Sequence, residues 1–147
     1  MHDYAWHLGL LVLLPLSGCA PPNQQSQSSS TDSLSFAQGA SYAPTPAVAG
    51  NTTTITFTIT DTSMVPGTVL NNIPYTVSRD GVANFANGTI PSISGGGTAS
   101  ASFNDMPSLS GSHTYVVIID PNNSTGASSS PANTQTTTIY YAPGANG

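Results

Sequence analysis

Thr52-Thr53-Thr54-Ile55-Thr56-Phe57-Thr58-Ile59-Thr60-Asp61 is the stretch whose reading decides the fold. Ile55, Phe57 and Ile59 alternate with threonines, the period of a strand with one face buried and β-branched residues on the other. Working outward, further strands are predicted at 73–78, 82–90, 98–103, 114–119 and 136–142, with an earlier one within 34–42. Turn chemistry separates them. Arg79-Asp80-Gly81 suits a tight hairpin, Gly95-Gly96-Gly97 breaks any ladder, Asp120-Pro121-Asn122-Asn123 stops a strand, and Val65-Pro66-Gly67 marks a loop. No helical spacing follows Cys19, so the expectation is an all-β sandwich of about seven strands in two sheets.

The run Val116-Val117-Ile118-Ile119 is apolar on both faces and is therefore expected inside a sheet, away from its edge. Its approach, Leu109-Ser110-Gly111-Ser112-His113-Thr114-Tyr115, resembles the entry to strand F of fibronectin type III domains, with Gly and His substituted. The resemblance implies that Tyr115 is a corner tyrosine whose hydroxyl bonds upstream backbone.

Charge is scarce. The chain has one Lys or Arg, six Asp or Glu and a formal net charge of −5. Arg79 is the lone cation, and Asp61, Asp80, Asp105 and Asp120 are the carboxylates after residue 33. Nucleic-acid binding is disfavoured, because phosphate contacts need a basic patch. With solvent-facing positions given to Thr, Ser and Asn, solubility rests on hydroxyls and amides. Such a surface either changes little with pH and salt or packs against copies of itself.

At the N-terminus, the apolar run Leu8-Gly9-Leu10-Leu11-Val12-Leu13-Leu14 is too short to span a bilayer, which takes roughly 20 apolar residues, and fits a cleaved signal. It ends in Leu16-Ser17-Gly18-Cys19, which resembles the lipobox of bacterial lipoproteins. The resemblance implies cleavage before Cys19 and transfer to its thiol of a diacylglycerol carrying palmitate-type chains. The segment departs from the pattern in having no Lys or Arg before His7. Ala20 follows the cysteine where an aspartate would resemble an inner-membrane retention signal, so the outer membrane is favoured in a Gram-negative source. Residues 20–33 are small and polar after a proline pair and read as a flexible tether. The expected organisation is a signal peptide at 1–18, lipidated Cys19 with its tether at 19–33, and one sandwich domain at 34–147.

Candidate chemistry is sparse. His113 is the single histidine after Cys19 and would have to be the base of any Ser-His-Asp triad, with Ser110, Ser112 and Asp120 near it in sequence. No G-x-S-x-G elbow accompanies it, and a histidine at a strand start reads as a solvated edge residue. No catalytic residue is therefore assigned. Asp61 and Asp120 could meet at one end of the sandwich, but calcium takes six or more oxygens, and bonds to loop N–H groups are preferred. No metal, cofactor or cofactor-binding residue is assigned, and Cys19 is the one predicted modification site.

Beyond Tyr115, the 42–142 region resembles the cell-adhesion-related domain of bacteria, an immunoglobulin-like sandwich of surface proteins. The resemblance is carried by Gly50-Asn51, Asp61, Arg79-Asp80-Gly81, Ile90 with the 95–97 glycines, the 111–119 strand, Asp120 and Asn133. The chain departs from that family in lacking any Asp or Glu at 121–134. The lipobox, the polar tether and the absence of a catalytic constellation point to a non-enzymatic envelope protein, held to the membrane by its lipid, that presents a binding or adhesion module to an envelope protein or polysaccharide. The alternative is a structural subunit of a surface filament or coat that self-assembles by strand exchange, suggested by the low charge and by Gln135-Thr136-Thr137-Thr138-Ile139-Tyr140-Tyr141.

Overall fold

The computed structural model describes residues 33–62, 67–127 and 133–144. The signal peptide, Cys19, most of the tether and Val65-Pro66 lie outside the described residues. The described residues form nine strands: β1 Leu34–Phe36, β2 Ser41–Ala43, β3 Ala47–Val48, β4 Thr53–Asp61, β5 Val69–Arg79, β6 Val82–Ser94, β7 Thr98–Asp105, β8 Gly111–Ile119 and β9 Thr134–Ala142. One sheet is built on β4, with β7 along one side and β1 and β2 end to end along the other; the second has the order β3-β9-β8-β5-β6.

The alternating stretch forms β4. Its apolar residues face inward with Thr53 and Asp61 at the two ends of the same face, so these two polar side chains are buried as well. Phe57 packs edge-on against Phe36 and Tyr75, with ring centroids 5.8 and 5.0 Å apart. From the second sheet Ile73, Val77, Tyr115, Val117, Ile119, Ile139 and Tyr141 complete the core between the layers.

The single strand expected within 34–42 is replaced by three short ones. Gln38-Gly39 interrupts pairing to β4, and Pro44 and Pro46, which lack N–H donors, end β2 before β3 crosses to pair parallel with β9. Among the described residues this gives nine strands where about seven were expected. The other strands start or end a few residues beyond their predicted limits. The predicted hairpin is a two-residue turn: Arg79 opposes Val82, while Asp80 and Gly81 have φ of 51° and 81°. β8 lies between β5 and β9, as its doubly apolar run predicts, although Ile118 on its outer face remains exposed.

Gly88 on β6 lies opposite Tyr75 on β5, and a Cβ there would come within 2.5 Å of the Tyr75 hydroxyl oxygen. The ring cannot swing away freely. It packs on Phe57, and its hydroxyl donates to the Ser102 carbonyl at 3.2 Å in the opposite sheet. Gly88→Ala is therefore expected to cost about 1–3 kcal/mol, the usual penalty for overpacking. Urea unfolding would check it, and an unchanged midpoint would mean that the ring is free to move.

Candidate functional site

β5, β7, β8 and β9 bring their ends together at one pole of the sandwich, and the sole Lys or Arg of the chain sits there. One guanidinium nitrogen of Arg79, at the end of β5, donates to both carboxylate oxygens of Asp105, at the end of β7, at 2.8 and 3.0 Å. The Asp105 side chain is almost fully buried, and its remaining capacity is used: the Met106 N–H donates to Oδ1 at 2.7 Å and the Tyr115 hydroxyl to Oδ2 at 2.5 Å. The Tyr141 hydroxyl lies 2.9 Å from that of Tyr115, and the guanidinium stacks over Phe85, 4.9 Å from its centroid. Burial works against the Arg79 charge, but the hydrogen bond to Asp105 outweighs it and raises the Arg79 pKa. Burial first, then the bond to Asp105, raises the Tyr115 pKa far above its usual value, so this phenol remains a donor. The corner-tyrosine expectation is thus corrected: Tyr115 bonds a carboxylate of the opposite sheet, not upstream backbone.

Asp80 extends this cluster. Its left-handed turn conformation points the carboxylate back along the hairpin, where it accepts from the Thr114 N–H at 2.8 Å and lies 2.6 Å from Nδ1 of His113. These bonds, that of His113 first, hold its pKa below the ordinary carboxylate range. His113 is not the solvated edge residue expected from sequence. β8 begins at Gly111, earlier than predicted, so His113 is the third residue of an interior strand, facing inward with Tyr115 and packing edge-on against Tyr141 at 5.5 Å. Its sequence neighbour Ser112 faces the other way, and Asp120 lies seven residues further along the strand, about 23 Å away. The Ser110, Ser112 and Asp120 constellation therefore does not assemble around His113; Asp80, unassigned from the sequence, takes the place of the carboxylate.

Asp61 and Asp120 stand towards the opposite pole. The Asp61 N–H donates to the Gly97 carbonyl and its own carbonyl accepts from Gly96, tying β4 to the glycine turn. The Asp120 carboxylate accepts from the backbone N–H and the hydroxyl of both Ser124 and Thr125, at 2.5–3.1 Å. This is the loop-bonding role preferred from sequence. Among the described residues, no three or more His, Cys, Asp or Glu come together as a metal-holding group.

Burial raises the Asp120 pKa, but the four bonds from Thr125 and Ser124 overcome it and leave the carboxyl below its usual value. Asp80 and Asp120 therefore both have folded-state pKa values under the unfolded value of about 4. Their contribution is complete above that pH and is lost as pH falls through the folded-state values, where protonation removes the acceptors. Thermal midpoints measured from about pH 6 down to pH 2 should fall below pH 4, with a shallower fall in Asp120→Asn. A flat profile in the unsubstituted chain would contradict the assignment.

The two poles differ in what they expose. The described chain enters at β1, where Leu34 opposes Asp61 at the far end of β4, whereas Asp105 opposes Thr53 at its start, a separation of about 27 Å along the strand. At the Asp105 pole, Val82, Met106 and Leu109 are 67, 60 and 75% exposed, against Val69, at 51%, beside the glycine turn at the other. The carboxylate network fixes the turns that carry them. Sequence patterning did not single out these three, although Met106 and Leu109 flanking a proline are visible as apolar residues in an otherwise polar loop.

Residues 34–137 match the CARDB family model. Among solved structures, a CARDB domain from Pyrococcus furiosus, determined in complex with di-metal ions, is 14% identical over 76% of this chain and 89% of that chain, with a TM-score of 0.61. A domain of a candidate cell surface protein from Methanosarcina acetivorans is 22% identical over 75% of this chain and 91% of its own, with a TM-score of 0.56. These likenesses establish the immunoglobulin-like sandwich. No curated protein matches the chain.

Proposed function

Because the chain belongs to the CARDB family, we propose that it is a non-enzymatic, lipid-anchored module of the cell envelope that presents one pole of its sandwich to an envelope protein. One observation carries the reading: the chain enters the domain at the pole opposite to Val82, Met106 and Leu109, so a tether at residues 19–33 directs those exposed side chains away from the membrane. Acylation of Cys19 supplies the anchor, as the lipobox implies; several acyl chains on one residue give stable attachment, at about 0.8 kcal/mol per buried methylene.

A protein partner is favoured over a polysaccharide. Val82, Met106 and Leu109 are aliphatic or thioether side chains, suited to an apolar protein surface and lacking the ring faces on which sugars stack. Mass spectrometry of the mature N-terminus tests the anchor, and an unmodified Cys19 sinks it. Binding to envelope protein extracts, compared with purified envelope polysaccharide, tests the ligand class. Leu109→Asp with Met106→Asp should abolish protein binding while leaving the thermal midpoint in place. Failure against both preparations would overturn the presentation role.

A further inference from the structure

We propose that the outer edge of β9 pairs antiparallel with the same edge of a second copy of this chain, joining two five-stranded sheets into one. Among the described residues, β3 pairs on that side of β9 opposite Tyr141 and Ala142 alone; β1 runs close by and the Gln135 side chain donates to the Gln38 carbonyl at 2.6 Å, but no described residue bonds the outward backbone groups of 134–140. The Ala142 carbonyl points to that side, since it accepts from the Ala49 N–H. Strand alternation then turns the N–H and C=O groups of Thr134, Thr136, Thr138 and Tyr140 outward too.

The other edges carry guards that this one lacks. β6 contains Pro91 and a left-handed Asn84 with φ of 57°. On β7, the Tyr75 hydroxyl reaches from the opposite sheet to the Ser102 carbonyl. β1 and β2 are three residues each and are interrupted by Gln38-Gly39. β9 has no proline, no charge and no interruption in its register with β8. Strand exchange, the sequence-based alternative, is not needed for such assembly: β9 completes its own sheet and still offers an edge.

A second copy is the occupant that fits. β3 blocks the edge beyond Tyr140, so a two-fold pairing clears it when centred on Thr136, with Thr134 opposite Thr138 of the second copy. Each facing pair of outward residues exchanges two backbone bonds, giving about six in all. The side chains meeting across the axis are threonines, whose mutual hydroxyl bonds favour cross-strand pairing. Exposed Tyr140, at 61%, comes within diagonal reach of Thr134 of the second copy. Like-charge repulsion is absent, because the described charged side chains all lie outside β9.

The test uses the full chain in the membranes of the expressing cell, with a short bis-maleimide and Thr136→Cys. A cross-linked dimer is expected. It should be absent for Thr56→Cys, on the outer face of the other sheet, and for the unsubstituted chain, whose one thiol is at Cys19. Adding Thr138→Lys to Thr136→Cys should abolish the dimer, because a lysine on an edge strand disfavours pairing with another strand. No dimer at position 136, equal yields at 136 and 56, a dimer that survives Thr138→Lys, or cross-linking to a different protein would each overturn the proposal. Because the unsubstituted chain is the control, the result does not depend on whether Cys19 is acylated.

Discussion

Asp105→Ala is expected to destabilise the domain by about 3–5 kcal/mol, the range for removing one partner of a buried ion pair. Four contacts disappear together: two from Arg79, one from the Met106 N–H and one from the Tyr115 hydroxyl. The unequal burial of the pair sets where the cost falls. Arg79 is 30% exposed and can turn to water, so little of the loss is its own. Tyr115 is fully buried, and its hydroxyl would be left with Tyr141 alone; an unmet buried donor costs about 1–3 kcal/mol. Arg79→Met should therefore cost less than Asp105→Ala, since Asp105 keeps Tyr115 and Met106 and the stem still covers Phe85. Guanidinium unfolding of both variants would check the order. A loss under about 1 kcal/mol for Asp105→Ala would show that the sheets are not tied at this pole.

What made the fold legible in the sequence was local. The Ile55, Phe57 and Ile59 alternation needs only the two-residue period of a strand, and Asp80-Gly81 and the 95–97 glycines need only backbone sterics. The pole around Asp105 was illegible for the opposite reason. Arg79 and Asp105 are 26 residues apart and belong to different sheets, so nothing in the spacing announces that they meet. A sharper signal was available: a lone cation in a chain of buried strands has to settle on one of few carboxylates. His113 was misplaced because Gly111 and Ser112 look like loop residues, whereas pairing with Tyr141 and Tyr140 extends β8 through them. β9 was visible as a polar, uncharged strand, but which of its backbone groups go unpaired among the described residues is a property of topology. Cys19, the sharpest motif in the sequence, lies outside the described residues and rests on its motif.

The cluster at the Asp105 pole also bears on presentation. Asp80 joins the β5–β6 turn to β8, and Asp105 joins β7 to β5 and β8, so the segments carrying Val82 and Met106 hang from a shared polar frame. A surface fixed before binding loses less conformational entropy when it docks. Two chains paired along β9 would hold two such poles at a defined separation, and double attachment raises avidity without any new contact at either pole.

Phe57→Ala is expected to cost about 3–5 kcal/mol, as large aromatic truncations in packed cores do. Phe57 is 1% exposed and sits at the middle of β4, the strand that pairs with β1, β2 and β7. Its ring joins Phe36 in its own sheet to Tyr75 in the other, and each edge-to-face contact adds about 0.5–1.5 kcal/mol beyond burial. Tyr75 also caps the Ser102 carbonyl, so a cavity at position 57 would loosen that ring and unguard β7 as well. Against a typical stability of about 5–15 kcal/mol, the substitution brings the domain close to unfolding. Thr56→Ala, one residue away on the outer face, should change stability by no more than about 0.5 kcal/mol. That contrast between adjacent positions is the test of the two-face reading: comparable losses at 56 and 57, by thermal or denaturant unfolding, would mean that β4 is buried on both sides.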